Sequence, residues 1–140
     1  MFRSNTPILQ RLSTVLTAGA IGGLFNSLAV WLFGLVGLTI ATGVQIQPSF
    51  TPEWLYPRLV WGGIWGMLFI IPILTDRLIL KGLLLSLGPA LVQCLVVFPF
   101  KAQKGWFGFE LGTLTPVYVI IFNAVWGIAA GLWILSAFED

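Results

Sequence analysis

The sequence predicts an all-α membrane protein: four transmembrane helices in an antiparallel bundle, packed through GxxxG faces, within a single integral membrane domain over residues 1–140. Three observations predict it. Hydrophobic residues make up 58% of the chain and charged residues 9%, whereas soluble domains carry about 25% charged residues. So few charges cannot cover a surface in water. The apolar residues gather into four runs, 13–41, 59–74, 78–100 and 114–137, each near or above the roughly 20 residues that cross a bilayer core. Glycines recur in three of these runs at the four-residue spacing that lets helix backbones approach in lipid.

The first run follows Arg3 and Arg11 and extends well past the roughly 7–15 apolar residues of a signal core, so it reads as an uncleaved anchor. Pro7 marks the residues before it as an interfacial lead-in. Between the first and second runs, TGVQIQPSFTPEWLYPR places Pro48, Pro52 and Pro57 where each removes a backbone donor. An extended loop on the membrane surface is expected there. The second run is the shortest, and Trp54, Leu55 and Tyr56 precede it as headgroup-level anchors. Thr75, Asp76 and Arg77 then form a turn short enough to force an antiparallel hairpin. In the third run Pro89 follows Gly88 and predicts a kink. The stretch KAQKGWFGFELGT spaces Gly105, Gly108 and Gly112 among Trp106, Phe107 and Phe109, an interfacial loop with aromatic anchors.

The glycine pairs are Gly19 and Gly23, Gly62 and Gly66, and Gly127 and Gly131. Lipid gives apolar helices no hydrophobic reason to associate, so these stripes mark helix-packing faces. VWGGIWGMLF at 60–69 and VWGIAAGLWI at 125–134 set tryptophan beside the glycines. Trp61, Trp65 and Trp126 can fill the volume beside a glycine groove while each indole N–H finds an acceptor. Trp61 and Trp133, near run ends, fit the interfacial belt. The two matching frames are also consistent with a duplicated hairpin.

Chemistry-bearing residues are scarce. The chain has no histidine and one cysteine, Cys94, which removes the commonest general base and any single-chain thiolate cluster. No catalytic, cofactor-binding or metal-ligating set is expected, and Cys94 reads as a packing residue. Asp76, Arg77, Lys81, Glu53, Glu110, Glu139 and Asp140 all fall near run ends and read as solvated or snorkelling boundary charges. Arg58, at the head of the second run, is a candidate for a lipid headgroup or for pairing with Glu53 or Glu110. The intramembrane polar residues are Asn26, Gln93 and Asn123, with Ser27 and Ser86 nearby. Asn26 and Asn123 fall at matching depths on antiparallel helices and are expected to meet.

The phrases RLVWGGIWG and SLGPALVQ, followed by FN-x-VWG, resemble those of small four-helix prokaryotic integral membrane proteins with no assigned activity. The resemblance implies the architecture and brings no catalytic residue. The expected role is a non-enzymatic structural, assembly or accessory subunit packing against a membrane-protein partner or a copy of itself, with membrane lipids around it. The alternative is a small oligomeric transporter or channel with an uncharged polar path. A pI near 9.0 comes from seven basic and five acidic residues, too sparse for the basic patch that nucleic acid requires. Arg3, Arg11, Arg77 and Lys81 on one side outnumber Arg58, Lys101 and Lys104 on the other, so both termini are expected on the cytoplasmic side of a prokaryotic membrane. Tags at both termini should then be reached by impermeant reagents only after the cells are opened; labelling of intact cells would reverse the orientation.

Overall fold

A computed structural model describes residues 2–138; Glu139 and Asp140, read above as tail charges, lie outside the described residues. Helix α1 (Ile8–Leu35) is followed by a short α2 (Leu38–Ala41) and by α3 (Pro52–Gly66), which tightens into a 3₁₀ turn at Met67–Ile70. The third passage is segmented into α4 (Leu78–Leu85), α5 (Leu87–Val92) and a π-helical stretch, Gln93–Lys101. After a 3₁₀ turn at Trp106–Gly108 comes helix α6 (Thr115–Ala137). Three passages are long and apolar enough to cross a membrane: Ile8–Leu35, Leu78–Lys101 and Thr115–Ala137. The protein is a small polytopic membrane protein with a helical bundle.

The second run departs from expectation. Its helix begins at Pro52 rather than 59 and ends at Gly66, and residues 71–77 are non-helical. It is therefore shorter than the other three passages, and the connection to α4 is longer than the expected three-residue turn. Proline caused the misreading. Pro52 sits in the first helical turn, where its missing N–H has no intrahelical partner to lose, and Thr51 caps the helix by accepting the Trp54 N–H at 3.3 Å. Pro57 removes only one further bond near that end. The extended loop is thus confined to residues before Pro52.

Proline also segments the third passage. Pro89 cannot donate to the Leu85 carbonyl, and α4 ends at Leu85. Pro99 similarly deprives the later turns of a donor, and the chain there widens to π-type bonding. At the end of α1, Gly37 takes φ 79° and permits the sharp turn into α2.

Helix α1 lies at the centre, packed on α3 along one side and α6 along the other, while α4 packs on the far side of α6. The glycines make these approaches possible. A Cβ on Gly19 would overlap the Gly62 carbonyl oxygen and stand 2.8 Å from Gly66 Cα; one on Gly23 would stand 2.8 Å from the Arg58 carbonyl oxygen. Across the other interface, a Cβ on Gly127 would overlap the carbonyl oxygen of Gly82, one on Gly82 would overlap that of Gly127, and one on Gly131 would reach 2.6 Å from the Leu78 oxygen. Trp126 crosses between these interfaces: buried to 3% exposure, it packs against Gly22, and its indole N–H is shared by the carbonyls of Gly19 at 3.1 Å and Gly62 at 3.3 Å. Around it lie Val15, Ala18, Phe69, Leu85, Ala130 and Ile134. Helix α3 runs antiparallel to α1 and returns the chain toward its starting end, where the rings of Phe2 and Phe138 meet edge-on at 5.1 Å.

Replacing Gly82 or Gly127 with Ala should each lower stability by about 1–3 kcal/mol, the usual cost of overpacking. Gly88→Ala, whose Cβ would sit 3.4 Å from the Trp65 ring, should leave it unchanged or raised. Thermal unfolding in detergent measures the difference, and equal behaviour of the three variants would contradict the packing described.

Candidate functional site

The polar residues of the bundle gather where the first turns of α3 face α1. Capping by Thr51 fixes the start of α3 and so the azimuth of Arg58. The Arg58 Nε–H donates to Ser27 Oγ at 2.9 Å, and Nη2 donates to Asn26 Oδ1 at 2.6 Å. Its guanidinium carbon stands 4.6 Å from the centre of the Trp54 ring, a cation–π arrangement. Ser27 in turn donates to the Gly23 carbonyl at 2.7 Å, and Asn26 Nδ2 donates to the Phe122 carbonyl at 2.6 Å. Each link fixes the next. Because the Asn26 amide gives a proton to a backbone oxygen at one end, its own oxygen is left pointing at the guanidinium.

Asn123 faces away from this chain. Its Nδ2 donates to the Val119 carbonyl at 2.8 Å and to Gln93 Oε1 at 3.2 Å. The expected Asn26–Asn123 contact does not form: Asn26 reaches the helical turn that carries Asn123 but bonds to the backbone beside it. A main-chain carbonyl already aimed at α1 is the nearer acceptor, and the adjacent side chain points toward the third passage.

Between these two groups lies a partly open cavity of ≈ 360 Å³, lined by Asn26, Arg58 and Gln93 among its polar residues and by Val30, Val119 and Phe122 among its apolar ones. Its roof is the segment before α3, including Gln45 and Gln47. That segment is tied down: Gln45 N–H donates to the Leu111 carbonyl at 2.9 Å, Thr39 Oγ1 to the Ile46 carbonyl at 2.6 Å, and Gln47 Nε2 to the Gly34 carbonyl at 3.0 Å. Among the described residues, no carboxylate pairs with Arg58, so the expected partners Glu53 and Glu110 are not used. Nη1 of Arg58 and Nε2 of Gln93 have no hydrogen-bond partner among them either. Both groups can only donate. The cavity is therefore an acceptor-seeking site with one positive charge and no negative charge in its lining.

Of the residues singled out from sequence, Asn26, Gln93 and Arg58 line this cavity, and Asn123 supports Gln93 from behind. Gly19, Gly23, Gly62 and Gly66 lie in the α1–α3 interface, and Gly127 and Gly131 in the α4–α6 interface. Sequence reasoning passed over Gly82, which has no glycine four residues away, and the roof residues Gln45 and Gln47, which lie in a loop without periodicity. Lys81 is a correction. Read as a boundary charge, it is 1% exposed and donates to the carbonyls of Phe69 at 2.7 Å and Ile71 at 2.6 Å, satisfying the acceptors left where the 3₁₀ turn ends. Trp61 is 57% exposed, whereas Trp126 takes the groove-filling role.

The chain matches no family model, no curated protein and no solved structure.

Asn26→Leu removes both the donor to Phe122 and the acceptor for Arg58, while Asn123→Leu removes the brace on Gln93 and a bond within its own helix. The first should cost more stability, within the roughly 0.6–1.7 kcal/mol typical of interhelical hydrogen bonds in membranes. Paired unfolding measurements in detergent check the order, and the reverse order would disprove the linkage through Asn26.

Proposed function

We propose that this protein is a non-enzymatic membrane protein that receives an anionic group in the Arg58 cavity, serving as a binding or accessory component of the membrane. The observation that carries the proposal is the guanidinium itself. It is held by Asn26, Ser27 and Trp54, faces a cavity with its Nη1 donors unused, and has no carboxylate to neutralise it among the described residues. A charge placed among apolar helices is costly, and such residues mark sites of function more often than of structure. An arginine needed only for packing would be cheaper as leucine.

Two further elements belong to the same proposal. Helix α3 and its 3₁₀ extension form the fourth crossing, which the return of the chain to the Phe2–Phe138 end supports. Both termini then share one side of the membrane, which we assign to the cytoplasm. The reading as a scaffold that binds partners through its glycines has less support, because those glycines are occupied by the protein's own helices. The conduit reading gains from the grouping of Asn26, Gln93 and Asn123, but Phe69, Trp126, Ala130 and Ile134 fill the bundle core with apolar and aromatic packing.

Millimolar inorganic phosphate should raise the melting temperature of the wild type in detergent and leave Arg58→Gln unmoved. Phosphate also stabilises proteins generally by exclusion from their surfaces. An equal shift in both proteins, or none in either, would therefore overturn the proposal.

A further inference from the structure

We infer that the anion received by Arg58 is the phosphate of a bilayer lipid of net negative charge, which enters sideways from the membrane and lays an acyl chain along the tryptophan face of α3. The inference rests on the reading of the Arg58 cavity as an anion site and concerns the source of the anion.

The roof argues for the route. Thr39, Gly34 and Leu111 hold the segment over the cavity by three hydrogen bonds of 2.6–3.0 Å. The rings of Trp31 and Phe50 meet at 5.3 Å and those of Phe50 and Trp54 at 5.9 Å, both pairs tilted, extending the closure to the start of α3. Gly112, at the foot of the last loop, sits where a Cβ would overlap the Gly43 carbonyl oxygen, so the two loops abut. The polar end is thus covered by tied backbone. Its flank lies between α3, which carries Arg58, and the π-helical stretch, which carries Gln93, two elements that do not pack closely on one another.

The apolar face argues for the occupant. On α3 and its extension, Arg58, Trp61, Trp65 and Leu68 follow at spacings of three and four residues and form one stripe. An open apolar groove of ≈ 630 Å³ runs along its lower part, lined by Trp61, Ile64, Trp65, Met67 and Leu68. From Arg58 to Leu68 the stripe covers about 15 Å at the α-helical rise, about half of a roughly 30 Å hydrocarbon core. That is the length of the hydrocarbon portion of a lipid in one leaflet. A cationic site with unused donors at one end of a stripe and an apolar groove at the other match a molecule with an anionic head and an apolar tail. A free oxyanion would use only the first of these.

Reconstituting the protein in nanodiscs of equal phosphatidylglycerol and phosphatidylcholine, followed by native mass spectrometry, tests the inference. The wild type should carry phosphatidylglycerol in preference to phosphatidylcholine. Arg58→Gln should lose that preference by about tenfold or more, the effect of one charge-assisted hydrogen bond. Trp61→Ala should lower lipid retention while leaving the stabilisation by inorganic phosphate intact. Equal retention of the two lipids by the wild type would overturn the inference without reference to any variant. So would equal retention of phosphatidylglycerol by wild type and Arg58→Gln. If inorganic phosphate stabilises the wild type through Arg58 but no lipid is retained, the lipid inference fails and the anion site stands. If neither binds, both fail.

Discussion

The bundle depends on one indole N–H. Trp126 belongs to α6, yet its nitrogen lies within hydrogen-bonding reach of Gly19 on α1 and Gly62 on α3. Helix carbonyls are normally spoken for, and a ring as broad as an indole reaches two of them at once more readily where no Cβ stands in the way. At both positions the residue is glycine. The same absence that lets α1 and α3 touch therefore also opens the carbonyls to a donor from a third helix. Close packing and hydrogen bonding, separate contributions in most membrane helix pairs, here require the same two atoms to be missing. The register of α6 then fixes where Phe122 stands, and the Phe122 carbonyl fixes Asn26. The guanidinium of Arg58 is positioned at the end of that sequence of contacts.

Much of this was legible in the residues. Long apolar runs marked the helices, because hydrocarbon tolerates no other exposed backbone, and the four-residue spacing of Gly19, Gly62 and Gly127 singled out residues that lie at the helix contacts. The cavity was legible only as separate parts. Asn26, Gln93 and Arg58 were each conspicuous against an apolar background, yet they come from three helices, and no spacing rule relates positions 26, 58 and 93. Lys81 was misread because a charge near the end of an apolar run usually snorkels. Here the carbonyls of a broken helix end were close enough to compete with water.

Proline shows why rules of thumb fail at particular places. Pro52 and Pro57 look like loop residues, but at the start of a helix the donor lost at Pro52 has no partner to disappoint, and Pro57 forfeits a single bond one turn further on. Pro89 and Pro99 stand deeper in a helical passage, where each must be accommodated by a break or a wider turn. The π-helical stretch begins at Gln93, one of the residues that line the cavity. A change in helical pitch alters the direction in which the following side chains leave the axis, among them Phe98, which also lines the cavity.

The central place of α1 has a consequence for how the molecule is made. Synthesis proceeds from the N-terminus, so α1 and α3 are available to each other first, and their glycine faces require nothing that comes later in the chain. The opposite side of α1 has no such early partner. It waits until α4, α5 and the π-helical stretch have been delivered and α6 has emerged, and only then does an indole arrive to close the seam. The α1–α3 contact can therefore form before α6 is made, with the flank of α1 that takes Trp126 still unoccupied.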